Sequence, residues 1–380
     1  WRWVDLINVW ALDNGNYCTC DDCRALGNPT DQIMLLAHEC RKAVVAAREA
    51  GTLNREVIVS VPAYHETLDV PEHELPEDFD HDGIVATFFP IERCFVHSFA
   101  DPACTEINGP LLRYWESWTR NPKNPFRGAM LVGEYYNVSS YASCAVPATR
   151  TMAADIPYYY RSGARLMHYM HVGTGLWGQL SLTNCQFAAQ LWNHELDVDG
   201  FLADYYECRY HGSAKVMAPV YRLTEDAMIN AKPLKHYAGM ERHTLRSTLR
   251  RPPEHRDGAA ALDAQAALFT TRHFRYSGTS AGTESGPALT ETLDLLHRAG
   301  RLLDDELVSC DDPVVRDRLR SDIRRFRYTE TTVRFYYHAV RMRMFESNSD
   351  TASAELEARA LRDAGEALRS ETDMPKLSFR

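Results

Sequence analysis

Five stretches in the first half of the chain are almost continuously apolar: "VDLINVWAL" (4–12), "EVIVSVPAY" (56–64), "GIVATFFPI" (83–91), "GAMLVGEYY" (128–136) and "ARLMHYMHV" (164–172). They are rich in β-branched and aromatic residues and lack the strict alternation of a half-solvated strand. That pattern predicts strands covered on both faces of a parallel sheet. Helical spacing takes over between them, in "DQIMLLAHECRKAVVAAREAG" (31–51), "NGPLLRYWESWTR" (108–120) and "ATRTMAADIPYYYRSG" (148–163). Strand, helix, strand at this interval predicts βα units.

Beyond about residue 190 the strand pattern stops. Residues 198–230 predict one or two helices, and 244–286, rich in Arg, Pro, Gly, Ser and Thr, predict a long irregular loop. A further helix is predicted from Pro313, with Asp312 as its N-cap. Its apolar stripe, Leu319, Ile323, Phe326, Val333, Tyr337, Val340 and Met344, is the signature of core packing. The expected organisation is an α/β region over 1–190 and an α-helical domain over 191–380. Five βα units cannot close an eight-stranded barrel, so the fold expected is the C-terminal part of a (β/α)8-type barrel followed by helices. A doubly wound sheet is the alternative, but no Gly-rich phosphate turn follows any of the strands.

Composition narrows the function classes. Of 380 residues, 45% are hydrophobic and 25% charged, as in globular proteins, and the net charge of -10 argues against general nucleic-acid binding. No apolar run approaches the ~20 residues of a membrane span. The chain opens directly on a strand-like run without Met or a signal peptide, so further chain is expected upstream. Of ten cysteines, seven are scattered singly (Cys40, Cys94, Cys104, Cys144, Cys185, Cys208, Cys310) and are expected to be small buried hydrophobes.

In a parallel α/β barrel the chemistry sits at the C-terminal strand ends. Those ends present Asp13 and Asn14, Tyr64 and His65, Glu92, Arg93 and His97, Glu134, Tyr135 and Tyr136, and His171. Two carboxylates set among Trp, Tyr and His suit glycoside hydrolysis: one acid protonates the leaving oxygen, the second attacks or activates water, and rings stack on sugars. Glu134 is the expected nucleophile or base and Asp13 the partner acid. Asn14, Tyr64, His97, Tyr136, His171 and Trp177 are expected to line the sugar site. A Glu134 that were merely structural would pair with an Arg, and Arg93 or Arg165 could serve.

The cluster Cys18, Cys20 and Cys23 supplies three thiolates, whereas a closed zinc site needs four ligands. His38 or Cys40 could complete it, but neither lies at a characteristic spacing. The expectation is a loop covering the helix near 31–50, with no tetrahedral metal site. A reactive thiolate is disfavoured by the acids of Cys20-Asp21-Asp22-Cys23.

The ordered blocks "LDNGNYCTCDDC", "VPAYHETLDVP", "CFVHSFADPACTEINGPLLRYWESW", "GEYYN" and "LWNHELDVDGFLADYYECRYHGSAKVMAPVY" resemble the bacterial glycan-degrading proteins of glycoside hydrolase family 163, first catalogued as a domain of unknown function. That family includes endo-β-N-acetylglucosaminidases and is distantly similar to the α-glucuronidases. The resemblance spans about residues 4 to 225. It implies a secreted or periplasmic barrel enzyme with a C-terminal helical domain, a glycan substrate bearing N-acetylglucosamine or uronate, and no cofactor. By the same resemblance Asp13 matches the acid before the cysteine-rich loop. Glu134 matches an acid in a block that usually has Trp-Asp-Tyr where this chain has Gly133-Glu134-Tyr135. In the α-glucuronidases a similar Glu-Tyr carries the base role. Two rival readings are a non-catalytic glycan-binding protein and a zinc-stabilised interaction module.

Overall fold

The computed structural model describes residues 3–10, 15, 17–91, 93, 97–105, 108–136, 147–169, 177–228, 289–347 and 349–370. The chain divides into two compact units. One comprises residues 1–94, 99–135 and 154–170, the other 95–98, 136–153 and 171–380.

The first unit is built on five strands: β1 (Leu6–Asn8), β2 (Ile58–Ala63), β3 (Ile84–Phe88), β4 (Met130–Glu134) and β5 (Ala164–Tyr169). All neighbours are parallel and the spatial order is β1-β2-β3-β4-β5. A sheet that adds each strand beside the last, always with the same right-handed crossover, keeps its helices on one face. A doubly wound sheet would reverse its strand order at a switch point, and this one does not.

The buried side chains agree. Val59, Val61 and Ala63 of β2, Ile84, Ala86 and Phe88 of β3, and Met130 and Val132 of β4 share one core with Ile33, Met34 and Ala37. The latter three belong to α2 (Pro29–Glu49), and the same core takes Leu111, Trp115 and Trp118 from α3 (Asn108–Thr119) and Tyr159 from α4 (Thr149–Ser162). Trp115 is fully buried and its indole N–H donates to Ser162 at 2.7 Å, so its polar edge is satisfied inside the core. The alternate positions Ser60, Thr87, Phe89 and Tyr135 belong to the opposite face.

Among the described residues, β2, β3 and β4 are shorter at both ends than the apolar runs predict and β1 starts later than its run, whereas β5 begins where its run does, at Ala164. Helix α2 begins two residues before the predicted start, because Asn28 caps it and Pro29 takes the first position. Asp31 completes a capping box with Asn28 and also accepts the backbone N–H groups of Glu72 and His73. It therefore pins the β2–β3 crossover, which is a loop with a single 3-10 turn, His65–Thr67, in place of an α-helix. The short helix α1 (Asp21–Ala25) carries Cys23, whose carbonyl accepts from Gln32 of α2 at 3.3 Å. The loop thus covers the start of α2. Among the singly placed cysteines, Cys104 and Cys310 are buried, Cys40 is half-buried, and Cys185 and Cys208 are exposed, contrary to the expectation for those two. Cys94 and Cys144 lie outside the described residues.

The second unit contains α5 (Trp177–Trp192), α6 (Val198–Tyr210), α7 (Ala214–Met228), α8 (Leu289–Ser309), α9 (Pro313–Ser347) and α10 (Thr351–Ser370). Asp312 caps α9, its carboxylate accepting from Val314 and Val315. Leu319, Ile323, Phe326 and Val333 are buried in the stripe the sequence predicts, and Tyr337 packs against it. The side chains of Val340 and Met344 lie outside the description, as does the predicted loop 244–286. Helix α10 is held to α9 by Glu357, which meets both His338 and Arg341 at 2.7 Å.

Candidate functional site

The C-terminal ends of the parallel strands carry a row of rings on the face away from the helices. Trp10, just past β1, lies 5.0 Å from Tyr64 and 4.9 Å from Phe89, ring centre to ring centre. Phe89 in turn lies 6.3 Å from Tyr135 and 5.6 Å from His168 of β5. The strand pleat explains the row: Tyr64, Phe89 and Tyr135 each follow their strand by one or two residues, in the same outward phase.

Gly133 makes the row possible. A Cβ at this position would sit 2.1 Å from the Phe89 ring, so the ring crosses β4 over bare backbone. His168 keeps an exposed face, while the side packed against Phe89 is desolvated and lowers its pKa below the ordinary value. His168 is thereby biased to the neutral imidazole, able to accept or donate one proton.

The turn after β2 carries an exposed carboxylate next in sequence to the row, that of Glu66. His65 takes φ 48, the left-handed region that a non-glycine residue enters at a cost. Thr67 holds the turn: its hydroxyl lies 2.8 Å from the Pro62 carbonyl and accepts the Tyr64 N–H at 3.2 Å. The His65 ring stacks obliquely on Tyr64 at 4.0 Å. Glu66 follows with an exposed side chain, and its carboxylate abuts the backbone of Gly15, where a Cβ would be 2.2 Å from Oε1. Gly15 has φ +74 as well, so both conformation and space require glycine there. Tyr17 beside it has its pKa raised, first by burial and then by the Glu66 charge. The sequence reading passed over Glu66 and Trp10. The signal for both was available, since each stands at or just past a predicted strand end, Glu66 within the block "VPAYHET".

Glu134 occupies a different environment. It ends β4 as expected, but its side chain shares the phase of Met130 and Val132 and turns toward α4. It has no exposed surface, and Oε1 accepts from Arg93 at 2.6 Å and from the Tyr159 hydroxyl at 2.8 Å. Oε2 accepts the Tyr135 N–H at 2.9 Å. Arg93, equally buried, also donates to Asp155 at 2.5 Å, and Asp155 accepts the Phe99 N–H. Burial pushes the Asp155 carboxyl up to about 6, opposed by Arg93 and reinforced by the Glu134 charge. Burial, with the Glu134 charge second, also raises the Tyr159 phenol well above its ordinary value. A catalytic Glu134 was expected to face the sugar, but the strand pleat turns it to the helix side, where it is half of a buried ion pair.

Of the other expected site residues, Tyr64 stands in the aromatic row. Tyr136 is buried and His97 half-buried, and both belong to the stretches of chain that group with the helical unit. Trp177 opens α5, but its side chain lies outside the description. Asp13, Asn14, Glu92 and His171 also lie outside the described residues. Among the described residues, the group able to hold a metal ion is Cys18, Cys20 and Cys23. No described helix is long and apolar enough to cross a membrane.

No known family's sequence profile matches this chain, and no curated protein matches it either. The resemblance to glycoside hydrolase family 163 therefore rests on the motif blocks alone. Among solved structures, a GH138 enzyme targeting pectin rhamnogalacturonan II is similar over 87% of this chain, with a TM-score of 0.50 and 9% identity. At that identity the likeness is one of fold, and it supports a glycoside hydrolase-like fold for this chain. The chain spans 41% of the length of that structure.

Proposed function

We propose that this chain forms part of a glycoside hydrolase acting on glycans that contain N-acetylglucosamine or uronate, with the sugar bound at the C-terminal ends of β1 to β5. The observation that carries the reading is the row Trp10–Tyr64–Phe89–Tyr135–His168 with the exposed carboxylate of Glu66 at its β2 end. Aromatic faces bind the apolar faces of sugar rings, and a carboxylate beside them performs the proton transfers of glycoside cleavage. The likeness of fold to a glycoside hydrolase supports the reading, and so does the consecutive parallel strand order, which is that of a (β/α)8 barrel segment.

In this proposal Glu66 is the acid or base on the β2 side, and Asp13, placed by the sequence on the β1 loop, is the partner carboxylate. His168 completes the polar edge. Glu134 is a positioning residue: with Arg93 and Tyr159 it fixes the end of β4, and through the Tyr135 N–H it orients the neighbouring ring. A second reading, glycan binding without turnover, is favoured by the sequestration of Glu134 in its ion pair.

Calorimetric titration with chitooligosaccharides and with oligosaccharides of glucuronate tests the site. Binding to one of these series that weakens at least tenfold in Trp10→Ala supports the proposal. A folded protein that binds neither series overturns it.

A further inference from the structure

The loop between β1 and α2 gathers three sulfur atoms into one cluster. The sulfurs of Cys18, Cys20 and Cys23 all lie within 4.8 Å of one another. Three thiolates on one ion with metal–sulfur bonds of ~2.3 Å stand about 3.8 Å apart, so small rotamer adjustments bring this trio to coordination distance. Cys18 and Cys20 are exposed and Cys23 is half-buried. An ion there would be held on one side by protein and open to solvent on the other.

The backbone around the trio is already arranged. Cys20 is the N-cap of α1, in extended conformation, and Cys23 sits three residues on, where the first turn brings it back over the cap. The chain then turns through Gly27 at φ +99 into the Asn28 cap of α2, and Gln32 of α2 bonds the Cys23 carbonyl. On the other side, Gly15 is packed on Glu66. Both ends of the loop are thus fixed to structured elements of the same unit.

A divalent cation bound by three thiols displaces their protons to solvent. Asp21 and Asp22, both exposed and next to the trio in sequence, add negative charge that favours a cation over a free reactive thiolate.

The geometry points to a thiophilic divalent cation, of the zinc class, bound by Cys18, Cys20 and Cys23 with its fourth position filled by water. This proposal departs from the sequence expectation of no tetrahedral metal site, with three protein ligands in the cluster among the described residues. Such an ion staples the β1–α2 loop beside the Glu66 turn, and it holds whether or not the chain cleaves glycans.

The test uses the full chain, reduced with a phosphine and stripped of metal, titrated anaerobically with cobalt(II). The expected result is one equivalent of tight uptake with a sulfur-to-cobalt charge-transfer band. The band is lost in Cys20→Ser and in Cys23→Ser and kept in Cys185→Ser/Cys208→Ser, which removes the other two thiols exposed among the described residues. X-ray absorption at the zinc edge of the zinc-loaded wild type, which needs no variant to fold, is expected to count three sulfurs and one lighter atom. The inference is overturned by the absence of a charge-transfer band, by a band that survives loss of the trio, or by fewer than three sulfurs at zinc. A Cys18, Cys20 or Cys23 disulfide that persists in the reduced, metal-loaded protein overturns it too.

Discussion

Arg93 and Glu134 meet at 2.6 Å with neither side chain exposed to solvent. Removing one member of a buried pair leaves the other charge without its counterion, at a typical cost of about 3–5 kcal/mol. Arg93→Met leaves two carboxylates, Glu134 and Asp155, facing each other without their shared cation. Glu134→Gln keeps the shape and removes one charge, and the loss is expected to be smaller, about 2 kcal/mol. Urea denaturation checks both. The account expects Arg93→Met to be the more damaging and the folded fraction of Glu134→Gln to retain its glycan activity. A Glu134→Gln protein of normal stability without activity would return Glu134 to the reacting groups.

The same cluster sets a pH dependence. The Asp155 carboxyl has an ordinary value of 3.8 and is raised to about 6 in the folded chain, chiefly by burial. Between those values the folded state binds a proton that the unfolded state has released, so this group's contribution falls as pH rises from about 4 to about 6. Outside that window the contribution is flat. Asp155→Asn removes it while leaving the acceptor for the Phe99 N–H. The difference in denaturation midpoint between wild type and Asp155→Asn is expected to move against the wild type as pH rises through the window. A difference that is constant with pH, or that moves the other way, contradicts the assignment.

Gly133 tests the aromatic row without touching any polar group. Gly133→Ala places a methyl 2.1 Å from the Phe89 ring, which must swing away and take its contacts with Trp10 and His168 with it. Overpacking of this kind costs about 1–3 kcal/mol. Glycan binding is expected to weaken at least tenfold in the folded variant. Full binding by Gly133→Ala would mean that the row is ordinary packing.

The strands were legible because continuous apolar runs have few other uses in a soluble chain, and the run centred on Val59 and Val61 is an example. Their common direction was legible for the same reason. The strand ends were not, since an apolar residue such as Val9 packs equally well in the ladder or just past it. Phase puts Glu134 on the same face of β4 as Met130 and Val132, but Leu131 on the other face is as apolar, so the sequence does not say which face meets the helices. Glu66 was legible as a residue just past a strand end, but its turn was not, since the left-handed conformation of His65 has no sequence signal. The convergence of Cys18, Cys20 and Cys23 is a matter of loop path, which spacing alone does not determine.

The central claim is that the strand-end face with Glu66 acts on a sugar. The most direct measurement is the kcat/KM of Glu66→Gln relative to wild type on substrates ending in N-acetylglucosamine or glucuronate, with thermal stability measured in parallel. Glu66 is exposed and has no ion pair among the described residues, so its isosteric substitution leaves stability nearly unchanged. Loss of a positioned acid or base lowers turnover roughly 10²–10⁴-fold. The account predicts that fall with an unaltered melting temperature. A Glu66→Gln protein that turns over these substrates as fast as the wild type contradicts it.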